Sequence, residues 1–198
     1  MNWIIFAIIG YLCGSVPFGL LLTQAAGLGD VRKIGSGNIG ATNVLRTGNK
    51  KIAALTLLCD GLKGYFPVLA AGFWGAEYAA LAAGFGALAG HILPIWLKFK
   101  GGKGVATGLG VIFAWGWSLG LLFCTVWLAG FLLTRISSVG ALCAVLAVAI
   151  ASLLGMPHIA LPIWAFPLLA VVVWITHRAN ISRLLKGEEG KTSFSSKA

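Results

Sequence analysis

Charged residues are scarce in this chain of 198 residues, at 10% of the sequence, and only five of them are acidic. A soluble domain carries about 25% charged residues, so the shortage argues against a protein that faces water on all sides. The few carboxylates also provide few candidate ligands for a metal ion, and no spacing typical of metal ligands occurs. We therefore expect no metal and no cofactor.

Cysteines are also few and follow no recognisable pattern. The four of them lie in apolar runs and none forms a C-x-x-C pair, so we expect buried structural thiols. A basic segment is missing before the first apolar stretch, MNWIIFAIIGYLCGSVPFG, which is therefore interpreted as a membrane span and not as a signal peptide. The cysteines are Cys13, Cys59, Cys124 and Cys143.

Long apolar runs are what the sequence has in abundance. Hydrophobic residues make up 59% of it, and a membrane-spanning helix needs about 20 mostly apolar residues. The run from Val105 to Thr134 is too long for one span, so we divide it at Gly116. The predicted fold is an all-α membrane bundle, formed by a single domain over residues 1–198, with about seven transmembrane helices at 3–26, 52–73, 78–97, 105–116, 117–134, 139–155 and 159–176.

The distribution of basic residues supports seven spans. With seven, fourteen of the fifteen Lys and Arg residues fall in polar segments on one side, whereas Lys63 lies inside a span and the other side carries Glu77. Because cytoplasmic loops are enriched in Lys and Arg, we predict an N-terminus outside and a cytoplasmic C-terminus. The cations are not gathered on one soluble face, so nucleic acid is not an expected partner. The basic segments are 27–51, 98–104, 135–138 and 177–198.

The first glycine-rich segment, IGSGNIGATN, has the G-x-G-x-x-G spacing at Gly35, Gly37 and Gly40. A dinucleotide site needs a strand before this turn, whereas a membrane helix precedes it here, so we reject that function. Glycine backbone and dense polar side chains at a membrane surface suit phosphate oxygens instead, although a turn that merely caps helices would look similar. The polar side chains are Ser36, Asn38, Thr42, Asn43 and Arg46.

A second cluster, KGGKGVATG at 100–108, places a glycine turn before a helix that is predicted to begin at Val105. The spacing is not that of a P-loop, because Gly104 follows Lys103 directly. Unpaired N–H groups at the helix start, together with Lys103, would form an anion site. The alternative is a loop whose lysines only anchor it on the cytoplasmic side.

The third cluster, HRANISRLLKGEE at 177–189, follows the last predicted span. A basic amphipathic helix on anionic lipid would explain Arg183 and Lys186. It would not explain His177 and Asn180, which lie where the span meets water.

Two charged residues, Asp60 and Lys63, lie inside a predicted span three positions apart. Isolated charges are costly there, so we expect a mutual ion pair that faces the bundle interior. A role in substrate binding is the second possibility. His91 and His158 are expected to be structural or incidental.

Taken together, the three clusters resemble the signature segments of the bacterial acyl-phosphate:glycerol-3-phosphate acyltransferases, in matching order over almost the whole chain. The resemblance implies an integral protein of the bacterial inner membrane, with its active site facing the cytoplasm. It implies transfer of a fatty acyl chain from acyl phosphate to the 1-hydroxyl of glycerol 3-phosphate. The implied products are lysophosphatidic acid and phosphate, and the reaction would be the first step of phospholipid synthesis. We also expect the protein to function as a monomer.

The resemblance also implies roles for residues. Segments 36–46 and 177–183 would serve glycerol phosphate and catalysis, segment 101–107 would hold the acyl-phosphate head, and Glu188 would be structural. The implied catalytic residues are Ser36, Arg46, Lys103, His177 and Asn180. The implied substrate-binding residues are Gly37, Asn38, Gly40, Thr42, Asn43, Gly101, Gly102, Gly104, Thr107, Ser138, Arg178 and Arg183.

The proton acceptor remains open at this level. No His-x-x-x-x-Asp pair occurs, so the acceptor is either His177 or the phosphate of the donor, and we favour the phosphate. A covalent intermediate on Ser36 lacks a visible partner base. The main rival functions are a transporter of a phosphorylated metabolite or lipid, and a structural protein with lipid-binding loops. A transporter would favour ionisable residues near the bilayer midplane, whereas the polar clusters here lie at one edge.

Overall fold

The computed structural model describes residues 3–74, 78–157 and 159–192, and within them the chain is helical without strands. It divides into two compact units, one reaching up to Val111 and the other formed by Ile112–Thr192. Glu77, His158 and Lys197 lie outside the described residues. The α-helices are α1 Trp3–Gly14, α2 Phe18–Ala25, α3 Ala41–Val44, α4 Lys50–Phe73, α5 Ala79–Ile92, α6 Val105–Trp115, α7 Trp117–Thr134, α8 Ser137–Leu153, α9 Ala165–Thr176 and α10 Arg178–Leu185.

Each of the seven predicted membrane segments contains a helix. By length and composition, four helical segments of the described chain can cross a membrane: Trp3–Ala25, Lys50–Phe73, Ala79–Leu97 and Trp117–Thr134. Helices α9 and α10, which are bent by 64° against each other, qualify as a fifth if taken together, whereas α6 and α8 are shorter apolar helices. The all-α prediction is thus confirmed, and the count of seven crossings stays a prediction.

Two helix breaks follow from local chemistry. Pro17 ends α1, because it cannot donate the backbone hydrogen bond that would continue the helix. Gly116 separates α6 from α7 in extended backbone, with a φ of −173°. The division of residues 105–134 at Gly116 is confirmed.

Helices α1 and α5 of the first unit approach closely through small residues. A Cβ added to Gly10 or Gly14 would run into the backbone carbonyls of Ala83 or Ala87, and one added to Gly90 would meet the carbonyl of Tyr11. Such spacing of small residues allows helices in a membrane to pack at short distance. The contact fixes α5, whose C-terminal end leads into the second glycine cluster.

The segment between α2 and α4 is folded and has its own small core. Two short 3₁₀ helices, Val31–Lys33 and Leu45–Thr47, flank the first glycine motif and α3. Their aliphatic side chains pack on α2 and α4 around a buried cluster of Leu20, Val31, Ile39, Val44 and Ala53. The polar loop expected from the sequence is therefore held in place by apolar contacts at both of its ends.

The second unit is built on α7, α8 and α9. The α7–α8 pair approaches closely at Gly130, where an added Cβ would lie 3.1 Å from the Cα of Gly140. The buried Trp115 ring packs edge-on against Phe166 of α9, with the ring centroids 5.4 Å apart. This packing fixes the N-terminal end of α9, and the opposite end of the helix leads into the third cluster.

The expectation of buried cysteines was wrong. All four thiols are free, three of them are only half-buried, and Cys143 on α8 is exposed. The reason is that an apolar run in a membrane helix includes an outer face, which packs against lipid instead of protein.

Candidate active site

A cavity of about 510 Å³ in the first unit brings two of the predicted clusters together. Ser36, Gly37 and Asn38 come from the first glycine motif, and Lys100 and Gly101 open the second. The wall between them is the 3₁₀ helix Ile95–Leu97 and the turn after it. The lining residues are Arg32, Ser36, Gly37, Asn38, Trp96, Leu97, Lys98, Lys100 and Gly101.

The first motif is shaped by Asn43, which is 3% exposed. Its Oδ1 accepts a hydrogen bond from the Ser36 N–H at 3.1 Å. Its Nδ2 lies within hydrogen-bond distance of three backbone carbonyls, those of Val31 at 2.8 Å, Ile34 at 3.2 Å and Asn38 at 2.8 Å. Asn43, predicted as a substrate contact, thus uses its amide inside the loop and holds Ser36 at the cavity.

Arg46 lies across the backbone of Gly35. A Cβ added to Gly35 would come within 2.7 Å of the Arg46 Nη1 atom and 2.5 Å of the Asn43 Oδ1 atom. Gly35 also has a φ of +52°, in the left-handed region that favours glycine. The glycine therefore allows an exposed guanidinium and the buried amide to meet beneath the motif.

The remaining predicted residues of this motif lie around the same turn. The Gly40 N–H donates to the Asn38 Oδ1 at 2.8 Å, which orders the turn before α3. Thr42 is exposed in α3. None of these positions contradicts a role in binding phosphate, and their roles stay predictions.

Arg32 lines the cavity but was not predicted as a site residue. Its guanidinium forms an ion pair with Asp30, with 2.7 Å between Nη2 and Oδ2. The hydrogen bond from the Arg32 side chain is the main reason that the pKa of Asp30 is lowered to about 2. Asp30 thereby holds the arginine at the cavity, and its D-x-R spacing was the available sequence signal.

The second cluster is a turn fastened to the end of α5. The N–H groups of Gly101 and Gly102 donate to the carbonyls of Ile92 and His91, each at 3.0 Å. The backbone then enters α6 at Val105, as predicted, with Lys103 half-buried just before it. The two amides thus fasten the turn to α5 and place Lys103 at the start of α6.

Two predicted residues of this cluster, Gly104 and Thr107, are buried. Gly104 packs against α5, where an added Cβ would lie 2.6 Å from the Leu88 Cδ1 atom. Thr107 is fully buried, and its hydroxyl makes no hydrogen bond within the described chain. Both positions suit packing beneath the turn, and the predicted role of Thr107 in substrate binding stays a prediction.

In the second unit, His177 occupies the bend between α9 and α10 and is 2% exposed. Its Nδ1 atom lies 2.8 Å from the Val173 carbonyl. Because a carbonyl can only accept, Nδ1 carries the proton, and Nε2 holds the lone pair of the neutral ring. For the neutral ring, the geometry thus selects the tautomer that carries the proton on Nδ1.

Glu189 gathers three predicted substrate-binding or catalytic residues around one carboxylate. Ser138 donates to Oε1 at 2.8 Å, the Asn180 Nδ2 donates to the same oxygen, and the Arg183 Nε donates to Oε2 at 2.6 Å. The segment after α10 therefore folds back onto α8 and α10. Arg178, predicted with this group, is exposed at the start of α10.

This carboxylate determines which way the Asn180 amide points. An ionised carboxylate only accepts hydrogen bonds, so the Asn180 nitrogen must face Glu189. The Asn180 oxygen then points elsewhere; it is buried and accepts no hydrogen bond in the described part of the chain. A buried acceptor of this kind is suited to a hydroxyl donor.

Sequence reasoning missed Glu189. The resemblance assigned the structural role to Glu188, whose side chain is exposed, and the carboxylate that bonds into the cluster is that of its neighbour. The signal was the pair of adjacent acids after Gly187 in a chain with only five acids. The pattern did not indicate which of the two folds inward.

The contribution of Glu189 to stability is expected to depend on pH. Burial raises its pKa, but the hydrogen bonds from Asn180, Ser138 and Arg183 together outweigh burial and hold the pKa below its usual 4.5. A lowered pKa in the folded state means that the contribution is complete above 4.5 and is lost as the pH falls through the lower folded value. At neutral pH, we expect Glu189→Gln to be less stable than the wild type. Each kcal/mol of unfolding free energy that is lost lowers the melting temperature by about 2–4 °C.

Thermal unfolding in detergent at neutral and acidic pH measures this difference. The gap between wild type and Glu189→Gln should narrow as the pH drops below 4.5. Glu188→Gln is the matched control and should unfold like the wild type at both pH values. A gap that stays constant into the acidic range would contradict the proposed hydrogen bonding of the carboxylate.

Comparison with known proteins gives a consistent result. The sequence matches the family described as Glycerol-3-phosphate acyltransferase over residues 4–187. The glycerol-3-phosphate acyltransferase of Mesorhizobium japonicum is 59% identical over 185 residues, which cover 93% of each chain. The glycerol-3-phosphate acyltransferase of Brucella ovis is 58% identical over 184 residues, which cover 93% of this chain and 90% of the relative.

Solved structures extend the comparison to the fold. The crystal structure of PlsY (YgiH), an integral membrane glycerol 3-phosphate acyltransferase, in the glycerol 3-phosphate form, has a TM-score of 0.89 and 35% identity, covering 98% of this chain and 96% of that one. Its lysophosphatidic acid form gives a TM-score of 0.88 and 34% identity, covering 98% and 97%. The resemblance seen in the three sequence clusters is thereby confirmed. This chain is a multi-pass membrane protein and belongs to the glycerol-3-phosphate acyltransferase family.

Proposed function

We propose that this chain transfers a fatty acyl group from acyl phosphate to the 1-hydroxyl of glycerol 3-phosphate, which yields lysophosphatidic acid and phosphate. The observation that carries the proposal is the cavity between the first and second glycine clusters. It combines glycine backbone, the Ser36 hydroxyl and the cations Arg32, Lys98 and Lys100. Such a surface matches a phosphate group in charge and in hydrogen bonding.

Electrostatics explain why the site must be built before the substrates arrive. A phosphate monoester carries a charge of about −1.5 to −2 at neutral pH, so two phosphorylated substrates repel each other. Cations held in position by the fold offset this repulsion without reorganising during the reaction. Arg46 and Lys103 supply further positive charge from the same two clusters.

The chemistry requires one bond exchange and one proton transfer. The 1-hydroxyl oxygen attacks the acyl carbon, the bond from that carbon to the phosphate oxygen breaks, and phosphate leaves. The hydroxyl proton passes to the departing phosphate, since no acid–base pair stands beside Ser36 among the described residues. The Ser36 hydroxyl, or a backbone N–H group at the start of α6, stabilises the oxyanion that forms on the acyl carbon.

Within the second unit, the third cluster is suited to a hydroxyl of the acceptor. The Asn180 oxygen, aimed by Glu189, accepts a hydrogen bond from a hydroxyl of glycerol 3-phosphate. His177, with its lone pair on Nε2, is the alternative proton acceptor. Orientation of the two reactants supplies about 7–11 kcal/mol towards the barrier.

Membrane topology completes the proposal. The clusters face the cytoplasm of a bacterial inner membrane, the N-terminus lies outside, and the chain acts as a single monomeric domain with seven crossings. The positive charge of the polar segments supports this orientation. The acyl chain of the donor can then stay between helices and lipid while its phosphate reaches the cavity.

Turnover by the purified protein in lipid tests the function. With palmitoyl phosphate and labelled glycerol 3-phosphate, we expect labelled lysophosphatidic acid and an equal amount of phosphate. Acyl-CoA and acyl carrier protein thioesters serve as donor controls and should give no product. Turnover with acyl-CoA but not with palmitoyl phosphate would overturn the donor assignment, and uptake of glycerol 3-phosphate into vesicles without product would favour the transporter.

A further inference from the structure

Three ionisable side chains form a buried cluster between α4 and α5, apart from the residues that line the cavity. Asp60, Lys63 and His91 are 2%, 7% and 3% exposed. The Lys63 Nζ lies 2.6 Å from the Asp60 Oδ1, and the His91 Nδ1 lies 3.8 Å from the same oxygen. The predicted ion pair is confirmed, and the His91 ring lies beside it without a hydrogen bond to Asp60. Buried ion pairs often add little stability compared with apolar residues, so stability alone is a weak explanation for this cluster.

Lys63 connects the cluster to the break between α1 and α2. Its ammonium donates a hydrogen bond at 2.7 Å to the Val16 carbonyl, which also accepts the Phe18 N–H at 3.1 Å where α1 gives way to α2. The neighbouring residue at the break, Ser15, accepts a hydrogen bond from the Trp96 indole N–H at 2.7 Å. Trp96 lines the cavity, so the position of one cavity wall depends on the backbone that Lys63 holds.

His91 connects the cluster to the opposite wall. Its backbone carbonyl accepts the Gly102 N–H at 3.0 Å. Its ring lies so close to Gly102 that a Cβ added there would collide with the Nε2 atom. Gly101, the adjacent residue, lines the cavity. The His91 imidazole therefore packs directly against the second glycine turn.

We propose that the Asp60–Lys63–His91 cluster is a positioning group, which sets the distance between the Trp96 wall and the Gly101 turn of the phosphate cavity. The inference rests on the proposed function for the identity of the ligand. Asp60 is the shared partner: it aligns the ammonium towards Val16 and faces the imidazole beneath Gly102. None of the three side chains lines the cavity, so they act through the groups that do.

The first test separates positioning from stability. The double variant Asp60→Leu/Lys63→Met replaces the ion pair with apolar side chains, which such sites often tolerate. We expect a melting temperature near that of the wild type, but kcat/KM for glycerol 3-phosphate lower by up to about 100-fold, as for a small displacement of reacting groups. We also expect faster amide hydrogen exchange in segment 95–104. A stable variant with wild-type turnover and exchange would overturn the proposal.

The second test does not depend on replacing the ion pair. Gly102→Ala should lower kcat/KM, because the added methyl group pushes against the imidazole, and Gly102 has no positive φ that would by itself strain alanine. His91→Ala in the Gly102→Ala background should restore part of that loss. Gly72→Ala on α4, where nothing lies within 4 Å of the added Cβ, is the matched control. Additive losses in the double variant would overturn the proposed role of His91.

Failure of the function and failure of the inference give different results. If the wild type makes no lysophosphatidic acid, the proposed function fails, whereas hydrogen exchange in segment 95–104 still reports on the cluster. If the wild type is active and the variants match it in kinetics and exchange, the inference alone fails.

Discussion

Replacing Arg46 with methionine is expected to lower kcat/KM for glycerol 3-phosphate by about 10²–10³-fold with little change in melting temperature. The guanidinium is exposed and lies across Gly35, beside the motif that carries Ser36. It offers a planar pair of donors to phosphate, and its charge offsets that of the substrate. Steady-state kinetics in lipid, with glycerol 3-phosphate varied at saturating palmitoyl phosphate, measures the effect.

Two further variants make the Arg46 prediction specific. Arg46→Lys keeps the charge but not the planar donor pair, so it should recover only part of the loss. Lys51→Met removes an exposed cation from the first turn of α4 and should leave kcat/KM within about twofold. Equal losses in Arg46→Met and Lys51→Met would show that only the general positive charge of this face matters.

Replacing Asn43 with alanine is expected to abolish most activity and to destabilise the protein by about 3 kcal/mol. The change removes the partner of the Ser36 N–H and of the carbonyls of Val31, Ile34 and Asn38 in one step. Each buried group left unpaired costs about 1–3 kcal/mol, and solvent can reach some of these groups once the loop relaxes. The motif would then lose the geometry that places Ser36 at the cavity.

Asn43→Asp distinguishes the roles of the two halves of this amide. The aspartate has nearly the same size and still accepts from Ser36, but it cannot donate to the three carbonyls. We expect it to be nearly as damaging as alanine, as measured by thermal unfolding and by turnover in lipid. A stable and active Asn43→Asp variant would contradict the structural role and favour a direct contact with substrate.

The sequence could predict where chemistry lies along the chain, but not which side chains meet. Ser36 and Gly101 were both expected to bind phosphate, because polar residues and glycines at a membrane surface are typical of anion sites. Their common cavity depends on Trp96, which no pattern marked. Asn43 was predicted as a substrate contact from its residue type, whereas its hydrogen bonds to three carbonyls depend on the folded path of residues 31–38.

The apolar runs and the order of three glycine- and asparagine-bearing segments were enough to determine a helical membrane protein and its family. Those properties depend on local composition and spacing, which a chain carries whether or not it is folded. Only the tertiary structure decided that Glu189 instead of Glu188 orients Asn180, and that His91 lies next to the Asp60–Lys63 pair and beneath Gly102. These contacts join residues distant in sequence or select between adjacent ones, and packing of the helices determines them.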